Sequence, residues 1–513
     1  MTIGKIALPS KVNTANQMNG IHKKNSMMKK ALRYCCFFVF LLISAQLSAQ
    51  TVQDALRLST FDWSGTARAA AVGGGMGALG ADFSVASTNP AGLAWFRSSD
   101  FTITPTLWAY NTDAQLQNGT SSSTSTNGNR FGLDNFGIVV ANQPMRSVDW
   151  RSSNFAIGLN RLANFNQTFE YSGQSLGSRM DRFAELANSN GIDDLYEASV
   201  AFDALGLIDD NGTFRTDIER NPDAPISKTQ TVTTTGSINE LVFSLAGNYQ
   251  EKIMIGLTLG IPFVNLTDNR VYRETDPGDD IPVFEAMQFE ENLRTTGAGI
   301  NLKLGLIYRI NQMSRVGLAI HTPTAYSLED SYETQMQYDY SENGLQSGFA
   351  QSPADVLPFE YTLVTPWRFI GSAGFIINKS GFISGDIEWV NYGGARFRYQ
   401  DFPTAEQEIN DDIQDGLASA LNIRVGGEFV YEMLRFRAGI GLLQAGITDN
   451  SDIQQVYSAG VGYRRNAFSI DAAYRLQTGD DTFTPYQITN GIEQSVAKDF
   501  TNNRIIVTLG LKF

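Results

Sequence analysis

Short stretches in which apolar and polar side chains alternate recur along this chain from residue 101 to its last residue. In Arg504 to Phe513, the residues Ile505, Val507, Leu509, Leu511 and Phe513 fall on one face. Arg504, Thr508, Gly510 and Lys512 fall on the other, with Ile506 the exception. Phe468, Ile470, Ala472 and Tyr474 alternate in the same way with Ser469, Asp471, Ala473 and Arg475, and Ile383, Ile387 and Trp389 oppose Ser384, Asp386 and Glu388. A period of two places successive side chains on opposite faces of a strand, so each segment has one lipid-compatible face and one charged face. The pattern predicts strands over 101–110, 130–142, 153–171, 238–249, 252–267, 287–309, 315–329, 359–378, 381–392, 418–431, 433–443, 455–464, 467–477 and 502–513. A soluble sandwich alternates too, with its polar face outward. The connections separate the two cases. They are alternately long (111–129, 172–237, 268–286, 330–358, 393–417, 444–454, 478–501) and short (143–152, 250–251, 310–314, 379–380, 432, 465–466). Tight turns at one end and long loops at the other are the layout of an outer-membrane barrel with both termini on the turn side. The expected fold is therefore all-β, a 14-stranded antiparallel transmembrane β-barrel over 100–513.

Residues 1–49 carry Lys5, Lys11, Lys23, Lys24, Lys29, Lys30 and Arg33 but no acid, then an apolar run from Cys35 to Leu47 and the small pair Ser48-Ala49. This reads as a signal peptide cleaved near Ala49, with Met27 or Met28 as the start and the residues before it an extension. Both cysteines, Cys35 and Cys36, fall in the leader, which excludes disulfides, thiol catalysis and Cys-bound metal from the exported chain. The formal net charge is −14 and becomes more negative once the basic leader is removed, so a nucleic-acid partner is not expected. After the leader no apolar run is long enough for a membrane helix, so a spanning form must be a closed barrel.

Between leader and strands lies a Gly/Ala-rich stretch, Gly65 to Leu93, with Gly73-Gly74-Gly75 at its centre and the turn Asn89-Pro90-Ala91-Gly92 near its end. Glycine allows close backbone approach, and Pro90 holds Asn89 out of the helical region. The same composition suits a flexible linker, and composition does not decide between them. Set after an export signal and before fourteen strands, the stretch resembles the N-terminal hatch of the FadL/TodX family of outer-membrane hydrophobic-compound transporters. Segments Thr365-Pro366-Trp367-Arg368 and Gly385 to Tyr392, and the very long third connection, are similar to that family as well. The resemblance implies that residues 50–99 plug the lumen, with Gly73, Gly74, Gly75, Asn89, Pro90 and Ala91 at the gate. It implies a monomeric outer-membrane transporter of long-chain fatty acids or similar hydrocarbons, which captures its ligand in an apolar pocket, moves the hatch and releases the ligand sideways. A terminal Phe513 resembles the signal read by the barrel assembly machinery.

The third connection contains two short amphipathic helical patterns over Ser178 to Leu207, with Met180, Phe183, Leu186 and Ala187 on one face and Tyr196, Phe202 and Leu205 following. In the family such an excursion forms an external apolar groove. The residues equally suit a small core capping the barrel. In the third strand the parity of Phe155, Ile157 and Leu159 would aim Arg161 at lipid, beside Asn160 and Asn164, before Phe165 and Phe169 resume the apolar face. A lipid-facing Arg costs about 2–4 kcal/mol at the bilayer midplane, so the strand either bulges there or lets Arg161 snorkel. The family's lateral exit, a kink in this strand, matches the bulge.

Candidate chemistry is sparse. His321 is the one histidine after the leader, and the segment Ala319 to Pro323 supplies no nucleophile for it, so a lumenal polar role is expected and no catalytic residue. One His and no Cys leave little to ligate haem, and no cofactor is expected. The acidic clusters Asp276 to Asp280 and Asp411-Asp412 lack the ligand order of a calcium loop, so no metal is expected. Adhesin barrel and general diffusion pore remain open as alternatives to transport.

Overall fold

The computed structural model describes residues 51–62, 65–144, 149–342, 344–354, 357–448, 452–489 and 491–513. The predicted signal peptide and its cleavage point lie outside the described residues. Fourteen antiparallel strands form the wall. They are β1 (Asp100–Leu116), β2 (Thr124–Asn142), β3 (Trp150–Asn164, continued by Gln167–Ser175), β4 (Ile226–Tyr249), β5 (Ile253–Thr275), β6 (Phe284–Arg309) and β7 (Ser314–His321, continued by Ala325–Ser341). The second half is β8 (Leu345–Gln351, Phe359–Val364 and Arg368–Ile377), β9 (Gly381–Asn391), β10 (Ser419–Tyr431), β11 (Leu434–Gln444), β12 (Ile453–Arg465), β13 (Phe468–Phe483) and β14 (Val496–Lys512). Consecutive strands pair, and β1 closes on β14 from Asp100↔Lys512 to Leu116↔Val496, so the sheet closes into a ring.

All fourteen segments expected from alternation are strands of this wall, but many continue further at the loop end. β4, β5 and β6 run 24, 23 and 26 residues, more than twice the 9–11 that a tilted strand needs to cross a bilayer. Beyond the bilayer the outward face meets water and the inward face packs on the cap, so the apolar-out alternation stops while β-branched residues keep the strand. The stretch Thr229 to Thr235 and the Ser/Thr-rich run at 120–127 lie there. The second was expected as a solvated loop, yet Thr124 onward belongs to β2, and Thr120–Ser121 pairs with Gly173–Gln174 of β3.

The outward face is apolar as expected. Leu245, Ile255, Leu257, Leu302, Leu304, Leu318, Ile387, Ile440, Ile505 and Leu511 are all exposed on it. Their inward neighbours are charged and buried, among them Arg368, Glu388, Arg424, Arg437, Asp471, Arg475 and Arg504. Ile506, the exception to the alternation, points inward because it packs with Ala473 on helix α2 (Ala67–Ala71) of the plug. None of the described helices is long and apolar enough to cross a membrane.

Three apolar cores are stacked along the barrel. At the turn end, residues 69–96 pack against Val139, Ala156, Val242, Met254 and Ile307. In the middle, helix α1 (Val52–Ser59) and Phe61 sit among Tyr326, Tyr361, Leu363, Tyr392, Phe397 and Tyr399. At the loop end, α3 (Arg179–Asn190) and α4 (Ala198–Asp203) close the mouth over Phe169, Tyr171, Tyr272, Phe289 and Met336. A further helix, α5 (Pro403–Gly416), lies in a connection expected to be loop. Ala405, Ile409 and Ile413 give it helical spacing, and it packs on the middle core.

Candidate functional site: a plugged lumen with an open seam

The hatch is held by its backbone. Gly73 and Gly74 take φ of 67° and 85°, a left-handed conformation that side chains resist. Their turn presses the chain onto the wall, where Gly73 N donates to Ser458 Oγ at 3.1 Å and Gly77 N to Asp386 Oδ2 at 3.1 Å. The wall is bare at the points of contact. A Cβ on Gly439 would stand 2.3 Å from Gly73 N, one on Gly426 2.3 Å from Val72 O, and one on Gly256 2.2 Å from the Pro90 carbonyl carbon. Gly305 meets the Asn89 side chain in the same way, at 2.1 Å.

Asn89 is the hinge of the second turn. Its Oδ1 accepts from Ala91 N at 3.2 Å and so caps the short turn Pro90–Trp95, in which Pro90 supplies the first residue without a wasted donor. Its Nδ2 donates to Gly77 O at 2.7 Å, tying this turn to the glycine turn. His321 Nε2 donates to Thr88 O at 2.7 Å, so the lone histidine holds the hatch. Gly73, Gly74, Gly75, Asn89, Pro90 and Ala91 are therefore one packed unit inside the barrel.

The segment before it is held by side chains. Thr51 and Asp54 form a capping box that starts α1, and Ala55 and Leu58 turn its apolar face to the aromatic chamber. The guanidinium of Arg368 lies over the Phe61 ring at 4.3 Å and donates to Ser59 O, while Glu388 bridges Arg368 and Arg424 at 2.7 and 3.0 Å. Asp62 is clamped by Arg475 at 2.7 Å and by Arg504, and its backbone N donates to Leu162 O at 2.6 Å. None of this was anticipated from sequence. Val52, Ala55, Leu56 and Leu58 do show helical spacing, but the partners across the lumen lie a hundred or more residues away.

The wall opens along one seam. β2 and β3 pair from Asn142↔Ser153 only as far as Asn135↔Asn160. Above that, β2 stays bonded to β1, and β3 stays bonded to β4 through a register shift between Arg161 and Ala163. Leu162 is the extra residue of that bulge. A second break follows at 165–166, where Asn164 Oδ1 accepts from Asn166 N at 3.2 Å and Phe165 N donates to Gly236 O at 3.0 Å. The bulge turns Arg161 inward, its guanidinium 4.5 Å over the Trp108 ring and its Nε 3.7 Å from Asp134 Oδ1. Parity changes beyond it, so Phe165 and Phe169 pack inward and not toward lipid as the alternation suggested.

Asn160 joins seam to hatch. Its Nδ2 donates to Ser87 Oγ at 2.8 Å, Ser87 Oγ donates to Glu240 at 2.7 Å, and its Oδ1 accepts from Asn135 Nδ2 at 2.6 Å across the last paired rung. The cavity beside it, lined by Gly65, Met76, Ser87, Asn160, Arg161 and Leu162, has a volume of only about 10 Å³. As it stands, this part of the lumen has no room for a ligand.

The loop-end residues form a separate cluster. Met180, Phe183 and Leu186 are buried in the cap core, Phe202 packs on its edge, and Leu205 is exposed at φ 66°. Arg179 anchors this cap, its Nη1 2.8 Å from Glu291 and its guanidinium 4.4 Å over Phe289. Of the acidic clusters, Asp276 caps its own loop by accepting from Ile281 N at 2.6 Å, and Asp411 and Asp412 are exposed on α5. Among the described residues no group of three or more His, Cys, Asp or Glu is placed to hold a metal.

Fold and site together define a closed transmembrane barrel with an internal plug and one unpaired seam in its wall. No family model and no curated protein matches the sequence. Solved structures do. The chain is similar to a Pseudomonas aeruginosa FadL homologue at a TM-score of 0.53 and 10% identity, over 89% of this chain and 100% of that one. It is also similar to the toluene transporters TodX of P. putida (TM-score 0.49, 13% identity, 88% and 99% covered) and TbuX of Ralstonia pickettii (0.47, 15%, 88% and 99%). At the level of fold this protein is a FadL-type barrel.

Proposed function

We propose that this protein is an outer-membrane channel for hydrophobic small molecules, which it takes up through the cap, holds in the aromatic chamber now filled by α1, and releases sideways between β2 and β3. The observation that carries the reading is the seam that ends at Asn135 and Asn160, where the same Asn160 is bonded to the hatch. A ligand that displaces α1 and shifts the hatch would act on the bond that bounds the opening. Apolar ligand surface entering the chamber gains about 25 cal/mol per Å², and α1 gives up a similar contact, so exchange of one for the other is near balance and reversible. Met180, Phe183, Leu186, Phe202 and Leu205 belong to the cap through which the ligand would enter, and Phe513 is the residue offered to the assembly machinery. A filled lumen with buried ion pairs favours this reading over a general diffusion pore.

The test is deletion of Leu162, which removes the bulge and lets β3 run on past Arg161. Protein reconstituted in liposomes should transfer a fluorescent hydrophobic probe, and the deletion should abolish transfer while the barrel remains heat-modifiable on a gel. Unchanged transfer by the deletion variant, or large steady ion conductance by the parent in planar bilayers, would overturn the proposal.

A further inference from the structure

At the turn end, which faces the periplasm in an outer-membrane barrel, the hatch and the wall enclose a second cavity of about 300 Å³. Arg68, Leu79 and Trp95 of the hatch line it on one side, and Arg315 of β7, Lys379 of the β8–β9 turn and Phe382 of β9 on the other. This is the lower end of the size range of small-molecule pockets. Its walls combine apolar and aromatic side chains with polar ones, three cations among them. Arg68 Nε, Trp95 Nε1 and Arg315 Nε are buried and make no hydrogen bond among the described residues. These nitrogens are closed off from the cavity, so what the cavity offers a ligand is the positive charge of its three cations.

Glu428 is the one acid on the lining, and its Oε2 is taken by Arg437 Nε at 2.7 Å, leaving Arg68 Nε at 3.8 Å. Arg315 has no carboxylate within ion-pair distance among the described residues, and Lys379 stands exposed on the turn. The Arg315 guanidinium is stacked 3.8 Å over the Trp95 ring, which fixes its plane against an aromatic surface. We propose that this cavity binds a small aromatic carboxylate, the oxyanion taken by Arg315 and Lys379 and the ring packed against Leu79 and Phe382.

Such a ligand would also act on the hatch. Arg315 Nη1 donates to Leu79 O at 3.2 Å and so clips the hatch to the wall just before the Gly80-Ala81 turn, while Arg68 Nη1, 2.8 Å from Ala81 O, ties that turn to the hatch helix. An anion that draws Arg315 away loosens that turn from the wall on the periplasmic side. The site does not depend on the transport reading, because binding is measured on the purified chain with no membrane to cross.

The experiment is fluorine NMR titration of fluorobenzoate, with fluorobenzamide as its neutral counterpart, into the purified folded protein. Saturable fluorobenzoate binding is expected, about tenfold or more weaker for the amide and for Arg315→Gln, with part of the loss restored by Arg315→Lys. Lys379→Gln, on an exposed turn where folding is not at stake, should weaken binding by a smaller factor. Equal binding of acid and amide, or undiminished binding of the acid by both Arg315→Gln and Lys379→Gln, would overturn the assignment.

Discussion

Two segments of one chain fill this lumen and are kept there by opposite means. Residues 65–96 are fixed by backbone fit, with bare wall at Gly256, Gly305, Gly426 and Gly439 and with hydrogen bonds from Gly73 and Gly77 to wall side chains. Residues 51–62 are fixed by side chains, apolar ones in an aromatic chamber and one carboxylate between two arginines. Backbone fit is short-ranged and leaves one arrangement, because a shift of an ångström loses both the contacts and the bonds. Side-chain docking is exchangeable, since another apolar body with a suitable polar end satisfies the same groups. The difference assigns stiffness to the hatch core and displaceability to α1.

The contrast is open to a direct test because each segment carries its own tryptic site, Arg57 in α1 and Arg68 in the hatch core. The largest effect is expected from Asp62→Ala, which leaves Arg475 and Arg504 buried without their carboxylate. Removing one partner from a buried ion pair costs about 3–5 kcal/mol. Cleavage at Arg57 should become fast while Arg68 stays protected, and equal exposure of both sites would show that the two segments are one unit. Leu58→Ala acts on the apolar half of the same anchor. Leu58 is fully buried, and such truncations cost about 2–5 kcal/mol, so the same selective exposure of Arg57 is expected with the ion pairs intact.

The reverse pattern should come from Gly439→Ala, which adds a Cβ where Gly73 N and the Val72 carbonyl carbon lie at 2.3 Å. Overpacking of this kind costs about 1–3 kcal/mol. Arg68 should then become cleavable, and a hatch as well protected as in the parent would mean that the wall, not the hatch, gives way.

The smallest effect concerns the cap, where a capping carboxylate is itself half-buried. Burial pushes the Asp181 carboxyl up to about 6, although the Ser178 backbone N–H favours its charged form. A carboxyl raised in the folded state weakens that state as pH climbs from its unfolded value through 6, and the cost is complete above that. Hydrogen-exchange protection of α3, corrected for intrinsic rates, should therefore fall between pH 5 and pH 7.5 by an amount equivalent to roughly 1–2 kcal/mol. Asp181→Asn should remove the pH dependence, and a protection factor that rises over this interval would contradict it.

Much of the barrel was legible from the chain alone, because one face of each strand meets lipid and the other a charged lumen. That contact prints a period of two on the sequence where the strands cross the bilayer. It is why β10 to β12 were read nearly to the residue, and why β4, β5, β7 and β13 were cut short where they rise beyond the bilayer. Asn89-Pro90 and the Gly73 turn were legible as well, since left-handed and pre-proline backbone restricts the residue types that can stand there. Arg161 marked the bulge by being the wrong residue for its parity.

What the chain could not show is which residues meet across the lumen. The clamp on Asp62 joins it to arginines in β13 and β14, and the glycines that receive the hatch come from four different strands. A glycine on the inward face looks the same in sequence whether a backbone presses on it or not. Closing the barrel brought the first described residues, 51–62, against residues of β8, β9, β13 and β14, and so determined that α1, and not water, occupies the chamber. Local pattern fixes which way each side chain points, and only ring closure fixes what it finds there.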